Sequence, residues 1–517
     1  MLYSFNSLVD IVMAGKWTVF VGTLIGSVII VLSENAATEI ALRRRQILLQ
    51  KELDMMPGSG MVLSDSELKA NEIIMNMKLK ELDFCFMNPQ YFNFSKHFFD
   101  YNNEVNKSEL FKLIQKMPKG AMLHAHDTGM LNADYVLKLT YWDNLYVCFN
   151  NNNTNFKFSK NQPNTPCETK WQLMKEARNA SENVEKFDND LKKIFTLVID
   201  NPNDVYSDIN AVWSKFQQYF INTDGLFTYK PVWEQYFYDT LKAARQDNIM
   251  YIEIRSVLPA LYDLKGNVFD SVFTAQSYKN ILDKFITDYP DFFGAKLIYA
   301  PLRLGNRETI KEHLSIASEI KEKLPKFFAG FDLVGQEDLG NPLKDFLPEL
   351  IDASDEINYF FHAGETNWFG TNSDENLADA IVLGAKRIGH GYALIKHPVL
   401  MEEVKKNNIA LEVNVISNKV LKLIEDSRNH PLASFLANGL PVVLSSDDPG
   451  LWDAEPLSHD FYVTFVGVAS KHADLRLLKK LALNSLYYSS ISNKDRIVHE
   501  FNIRWTRFID DIVRGKW

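Results

Sequence analysis

The stretch "MPKGAMLHAHDTGM", Met117 to Met130, decides how the rest of the chain is read. A short apolar burst ends in two histidines one residue apart, His124 and His126, and Asp127 follows at once. Alternate residues of a strand point to the same side, so His-x-His at a strand end aims two imidazoles at one point. Neutral imidazole nitrogen is a good ligand for zinc. Taken alone, the pair is equally the mark of two satisfied polar residues closing an ordinary strand, so the other bursts decide.

Seven more bursts follow: "MYIEIRS", "AKLIYAPLR", "FAGFDLVG", "YFFHAGE", "AKRIGHG", "IALEVNVISN" and "LPVVLSSDDP". Each is short, apolar or β-branched, and leads into a loop and usually a helical pattern. Eight alternating units predict an α/β fold of the (β/α)8 TIM-barrel type. A doubly wound open sheet is the rival. The barrel is favoured because polar residues gather at the C-terminal end of nearly every burst, where such barrels build their sites.

Those ends carry the chemistry. "FFHAGE" places His362 and Glu365, "RIGHG" places His390, and "SSDDP" places Asp447 and Asp448. Three histidines and one carboxylate can hold a divalent metal and leave a position open for water, as catalytic rather than structural zinc sites do. Metal binding lowers the pKa of water to about 7. Attack on an electron-poor ring carbon then needs a proton delivered to a ring nitrogen, and a desolvated Glu365 is suited to deliver it. His390 is placed to orient the water and move its proton. Asp447 is the expected carboxylate ligand, and Asp448 the expected hydrogen-bond acceptor for substrate.

Composition bounds the partners. The chain has 517 residues, 46% hydrophobic and 24% charged, with a formal net charge of -10. Such a chain buries a large core, and its acidic balance excludes broad nucleic-acid binding, which wants a basic surface. No P-loop and no Cys-x-x-Cys zinc spacing occurs. "KWTVFVGTLIGSVIIVLS", Lys16 to Ser33, is short for a membrane span and predicts a cleaved signal peptide over residues 1–33. "RRR" at Arg43 to Arg45 keeps a retained signal anchor as the alternative. Export agrees with Asn-x-Ser/Thr acceptors at Asn93, Asn106, Asn152 and Asn179. Residues from about 34 to 116 read as helices, with a Ser/Asp cap candidate opening "SDSELKANEIIMNMKLKELDFCF". A polar, Asn/Pro-rich stretch from Tyr141 to about Asp190 reads as an insertion after the first strand. Its Cys148 and Cys167 are either a loop-closing disulfide or two unrelated thiols.

"HAHD", "GFDLVG", "HAGE", "RIGHG" and "SSDDP", in this order on a predicted barrel, resemble the adenosine deaminases. The leader, "LKANE", "MPKGAMLHAHD", the paired-cysteine insertion and "VWSKF" are similar to one branch in particular. That branch is the secreted adenosine deaminase-related growth factors, or type 2 adenosine deaminases. The resemblance covers nearly the whole chain. It implies one zinc ion on His124, His126, His362 and Asp447. Glu365 is implied as the acid for the purine ring nitrogen beside the attacked carbon, and His390 as the residue that positions and deprotonates water. Asp448 is implied to bond the imidazole-side ring nitrogen, Gly335 to meet the purine through its backbone, and Asp127 and Trp213 to face the ribose. It also implies a Cys148–Cys167 disulfide, a homodimer through the N-terminal helices, and an insertion that binds a receptor or glycan. The expected domains are then a signal peptide (1–33), a helical dimerisation segment (34–118), a catalytic barrel (119–138 and 195–517) and an inserted receptor-binding domain (139–194). Two departures stand out. The histidines that the family's secreted vertebrate members carry in the stretch matching "LYDLKGNVFD" are absent, and Gln336 stands where a histidine can occur.

The expectation is a secreted zinc adenosine deaminase that acts on adenosine and 2'-deoxyadenosine, not on nucleic acid. Two rivals remain. One is another barrel amidohydrolase with a second metal, which would want a lysine at a strand end. The other is a receptor ligand or growth factor whose catalysis is secondary.

Overall fold

The eight bursts form eight strands because each is buried on both faces, by the barrel interior on one side and by helices on the other. The computed structural model describes residues 18–151 and 153–517, and of residues 18–35 only the backbone. The strands are β1 (Gly120–His126), β5 (Ile249–Ser256), β8 (Gly294–Tyr299), β9 (Phe328–Phe331), β10 (His362–Ala363), β11 (Arg387–His390), β12 (Ala410–Val413) and β13 (Val442–Leu444). They pair in parallel as two arcs, β1-β5-β8-β9 and β10-β11-β12-β13. Two seams join the arcs into a ring. At one, Phe331 N–H donates to Asn358 O (2.9 Å) and Phe360 N–H to Phe331 O (3.0 Å). At the other, His126 N–H donates to Asp447 O and Asp447 N–H to His124 O, both at 3.1 Å. The open-sheet rival is therefore set aside.

Two features of the ring position the site. β5 is buried along its whole length, yet it carries Glu253 and Arg255 inside the barrel, where each finds charged partners. Two of the strand ends at the site leave regular geometry. His390 has φ 60° and Asp447 has φ 63°, left-handed values that non-glycine residues hold only when the surroundings impose them.

Between β1 and β5 the chain builds a small antiparallel sheet, β2 (Leu145–Phe149), β3 (Thr154–Phe158) and β4 (Gln172–Leu173), in the order β3-β2-β4. A Cys148–Cys167 disulfide staples its loop, with Cα atoms 6.0 Å apart. The stretch "LYDLKGNVFD" is a short hairpin of β6 (Leu261–Tyr262) and β7 (Val268–Phe269). Asn106 and Asn179 are exposed and Asn93 is half-buried, whereas Asn152 lies outside the described residues.

The N-terminal segment is helical, with long helices at Thr18–Met55 and Asp65–Met87. The second opens on Ser64, whose hydroxyl accepts from Glu67 N–H while Glu67 accepts from Ser64 N–H, a reciprocal cap. It docks on the C-terminal helices, where Trp505 Nε1 donates to Glu67 (2.9 Å) and Lys78 Nζ donates to the Ser470 and Ala473 carbonyls. The expected leader has no side chain among the described residues. Among the described residues, no helix is long and apolar enough to cross a membrane.

Candidate metal centre and catalytic cavity

Strand ends from opposite parts of the sequence meet at the C-terminal mouth of the ring. His124 Nε2 lies 3.3 Å, and His126 Nε2 3.1 Å, from Asp447 Oδ1. The His362 ring centroid is 4.5 Å from that of His124 and 5.3 Å from that of His126. Ligand atoms of His124, His362, His390 and Asp447 all lie within 4.8 Å of one another, and His126 forms a second such group with Asp447 and Asp448. Gly389 makes the crowding possible, since a Cβ there would stand 3.0 Å from the His124 ring and 3.3 Å from His362 Cα.

Buried carboxylates set which imidazole nitrogen faces the centre. His124 Nδ1 donates to Glu412 (2.8 Å) and His362 Nδ1 donates to Asp332 (2.7 Å). Nδ1 therefore holds the proton on both rings and Nε2 presents its lone pair, as metal-bound histidines require. Arg255 ties the two carboxylates together, donating to Asp332 and to Glu412 at 2.7 Å each. Arg387 adds a third contact to Glu412 at 2.5 Å. Burial opposes ionisation of Asp332 and Glu412. For Asp332, His362 and Arg255 outweigh it, and for Glu412, Arg255 and Arg387 do, so both carboxyls stay well below the ordinary range. Burial takes His362 down to about 3, which keeps it neutral.

His390 is held the opposite way. Leu432 N–H donates to His430 Nδ1 (3.0 Å), so the His430 proton is on Nε2 and goes to Asn418 Oδ1 (3.1 Å). That leaves the Asn418 amide N–H to donate to His390 Nδ1 (3.1 Å). The His390 proton is then on Nε2, 3.8 Å from Asp447 Oδ2. A protonated Nε2 is no metal ligand, but it is a group that can hold or pass a proton.

The residues fit a divalent cation by their donor chemistry. His124 Nε2 is buried without a hydrogen-bond partner, as are Glu365 Oε1 and both Asp448 carboxylate oxygens. Buried polar atoms of native proteins are rarely left so, and a group of them facing one space marks a ligand. That space is a cavity of about 510 Å³ lined by His126, Asp127, Trp213, Gly335, His362, Glu365, Asp447 and Asp448. Phe216, Phe220, Leu302 and Leu339 make its outer wall apolar. Burial, with Asp447 and Glu337 nearby, raises the Glu365 carboxyl well above its ordinary range. Burial and Asp447 do the same to Asp448. Asp127 accepts from the Tyr278 hydroxyl at 2.8 Å, and Gln336 donates to Asn210.

Residues 187–501 match the family model described as adenosine deaminase. Residues 24–114 match the one described as adenosine/AMP deaminase N-terminal. The chain belongs to the adenosine deaminase family. It is 44% identical to an adenosine deaminase of Phlebotomus duboscqi, over 89% of this chain and 90% of that one. It is 40% identical to adenosine deaminase 2 of Homo sapiens, over 91% and 93%. Among solved structures, an N6-mAMP deaminase of Arabidopsis superposes with a TM-score of 0.54 at 17% identity, covering 76% of this chain and 99% of that one. This last likeness is one of fold.

For this family member, every site residue expected from sequence at a strand end lies at the one mouth, and Trp213 reaches it from the helix Ile209–Phe227. Sequence reasoning missed the groups that aim the ligands: Asp332, Glu412, Arg255, Asn418 and His430. One signal was present for the first three, a charged residue inside an otherwise apolar burst.

Proposed function

We propose that this chain is a secreted, zinc-dependent adenosine deaminase that converts adenosine or 2'-deoxyadenosine and water to inosine or deoxyinosine and ammonia. The observation that carries the reading is the set of imidazoles and one carboxylate, oriented by buried partners, at the floor of a cavity sized for a nucleoside. His124, His126, His362 and Asp447 would hold the metal. When bound, zinc supplies the Lewis acidity that makes water a nucleophile near neutral pH.

The remaining steps belong to side chains. Glu365, kept protonated by its surroundings, gives its proton to the ring nitrogen beside the amino-bearing carbon, so that carbon accepts the attack. His390 lies 3.5 Å from Glu365 through Nδ1 and presents Nε2 toward Asp447. It orients the attacking water and gives its Nε2 proton to the departing amine; the two protons lost by the water restore His390 and Glu365. Asp448 was expected to accept a hydrogen bond. Its raised pKa favours the neutral acid instead, which donates to the imidazole-side ring nitrogen. The backbone of Gly335 flanks the purine, and Asp127 and Trp213 face the ribose. The apolar outer wall suits an uncharged nucleoside. Of the two arginines that line it among the described residues, Arg255 is committed within the barrel, whereas Arg303 bonds the Leu333 and His362 carbonyls through Nη2 and leaves Nε and Nη1 without a hydrogen-bond partner.

We extend the proposal to assembly. The helix Thr18–Met55 is exposed on all sides from residue 36 to 52 and carries Ile40, Leu42, Ile47 and Leu48 at 67, 54, 57 and 54%, apolar surface suited to a second copy of the chain. The disulfide-stapled sheet supports a separate receptor or glycan contact, which is the basis of a growth-factor reading. The test is purified protein incubated with adenosine, with and without a strong chelator. Absorbance of adenosine is expected to fall, and both the chelator and Glu365→Ala are expected to abolish the fall. Full activity of Glu365→Ala would overturn the mechanism. Growth-factor activity retained by that variant would favour binding over chemistry.

A further inference from the structure

The end of the barrel opposite the histidines holds a second cavity, of about 690 Å³, a volume typical of small-molecule sites. Its wall carries Lys296, Lys321, Lys386, Lys480 and Lys494, with Arg387 behind them and Glu356 as its one acidic residue. Arg387 is committed elsewhere, to Glu253 at 2.6 Å and Glu412 at 2.5 Å. Glu253 is likewise satisfied, accepting from Arg387, Tyr251 and Ser490.

The five lysines are different. Among the described residues none of them forms an ion pair, although many lysines elsewhere do, such as Lys112 with Glu109, Lys186 with Asp190 and Lys479 with Glu67. Lys321 donates to the Glu356 carbonyl and Lys494 to the Tyr487 carbonyl. Lys296 is half-buried, and burial presses its ammonium toward neutrality with only Glu253 opposing. They also come from separate elements: β8, the helix Arg307–Lys323, the approach to β11, and the helices Leu475–Tyr487 and Lys494–Val513.

A chain of net charge -10 does not gather five unpaired lysines around one hollow as a sample of its average surface. Like charges on concave, low-dielectric walls repel one another and focus a positive field inward. A multivalent anion removes that repulsion and gains a hydrogen bond from each ammonium. Lysine serves as a point-charge phosphate binder with three rotatable donors. Tyr487, 47% exposed on the same wall, offers a flat face to a ring.

We propose that this cavity binds a compact anion carrying a phosphate chain, either an inorganic polyphosphate or a nucleoside triphosphate. The hollow is separate from the deaminase cavity, so the proposal stands independently of the catalytic reading.

The experiment uses the full-length, zinc-loaded protein, with metal content measured before and after. Tripolyphosphate and ATP are titrated calorimetrically into wild type, K386E/K480E and K112E/K116E. The last pair reverses two exposed lysines on the helix Glu109–Lys116. Both anions are expected to bind wild type and K112E/K116E alike, to weaken about tenfold or more in K386E/K480E, and to weaken with added salt. Tighter binding of ATP would assign its base to Tyr487, and equal binding would leave the phosphate chain as the whole determinant. K386Q/K480Q, which removes charge without reversing it, is read in place of K386E/K480E if the latter melts early. Equal affinity of wild type and K386Q/K480Q, or no binding of either anion, would overturn the proposal.

Discussion

At the scale of single residues, the site depends on which nitrogen of each histidine carries a proton. Glu412 and Asp332 fix His124 and His362 one way, and the His430–Asn418 pair fixes His390 the other way. The two settings predict different failures. Asn418→Leu removes the donor to His390 and leaves both carboxylate–imidazole pairs intact. Activity is expected to fall about 10- to 100-fold, the usual cost of losing a partner one step behind a site, while metal content stays at the wild-type level. Loss of metal from that variant would mean that His390 is a ligand after all. The histidines themselves were legible because they end apolar bursts, where a side chain with polar nitrogen has no reason to be unless it meets something. Asp332, Glu412 and Arg255 were not legible as a set. Each sits inside its burst, and only the closed ring shows that three distant strands point them at each other.

At the scale of elements, three histidines accept backbone N–H groups, His97 and His430 as helix caps. Nδ1 of His97 accepts from Phe99 N–H, that of His430 from Leu432 N–H, and that of His459 from Glu455 N–H. A protonated Nδ1 cannot accept, so each ring must be neutral in the fold. Burial holds all three down to about 3, whereas an unfolded histidine titrates near 6.5. Between those values the unfolded chain binds more protons than the folded one, so stability rises with pH there. Acidification from pH 6.5 toward 3 is therefore expected to destabilise the fold, by up to about 1.4 kcal/mol per pH unit for each histidine. Melting curves of His430→Gln against wild type across this window check it, and the variant should lose less on acidification. The alternation of bursts with helical patterns made the eight strands readable. The short strands and hairpins inside the insertion were not, because a sheet of two- to five-residue strands held by a disulfide leaves little periodicity to detect.

At the scale of the whole molecule, the chain is a barrel with different chemistry at each end and a helical arm at its side. The arm carries a prediction of its own. Ile40→Glu with Ile47→Glu puts two charges in place of exposed apolar side chains on one side of the helix Thr18–Met55 and is expected to convert a dimer to a monomer in light scattering. A wild-type chain that is monomeric at the same concentration would remove the arm from the account of assembly. Length and composition anticipated a barrel with additions, but that this helix stands bare on every side from residue 36 to 52 is a property of the folded chain, not of its periodicity.

The seam between β1 and β13 joins these scales. The amides that stitch it are those of His126 and Asp447, and the Ser445 hydroxyl there accepts from His124 N–H and donates to His124 O. The residues expected to grip the cation are therefore the ones that fasten the ring. Withdrawing the cation should loosen the barrel along one line only. Deuterium uptake at the His126 and Asp447 amides is expected to accelerate in the stripped protein, with the opposite seam at Phe331 and Phe360 unchanged. Those two amides would then serve as an internal gauge of metal loading, readable without any substrate.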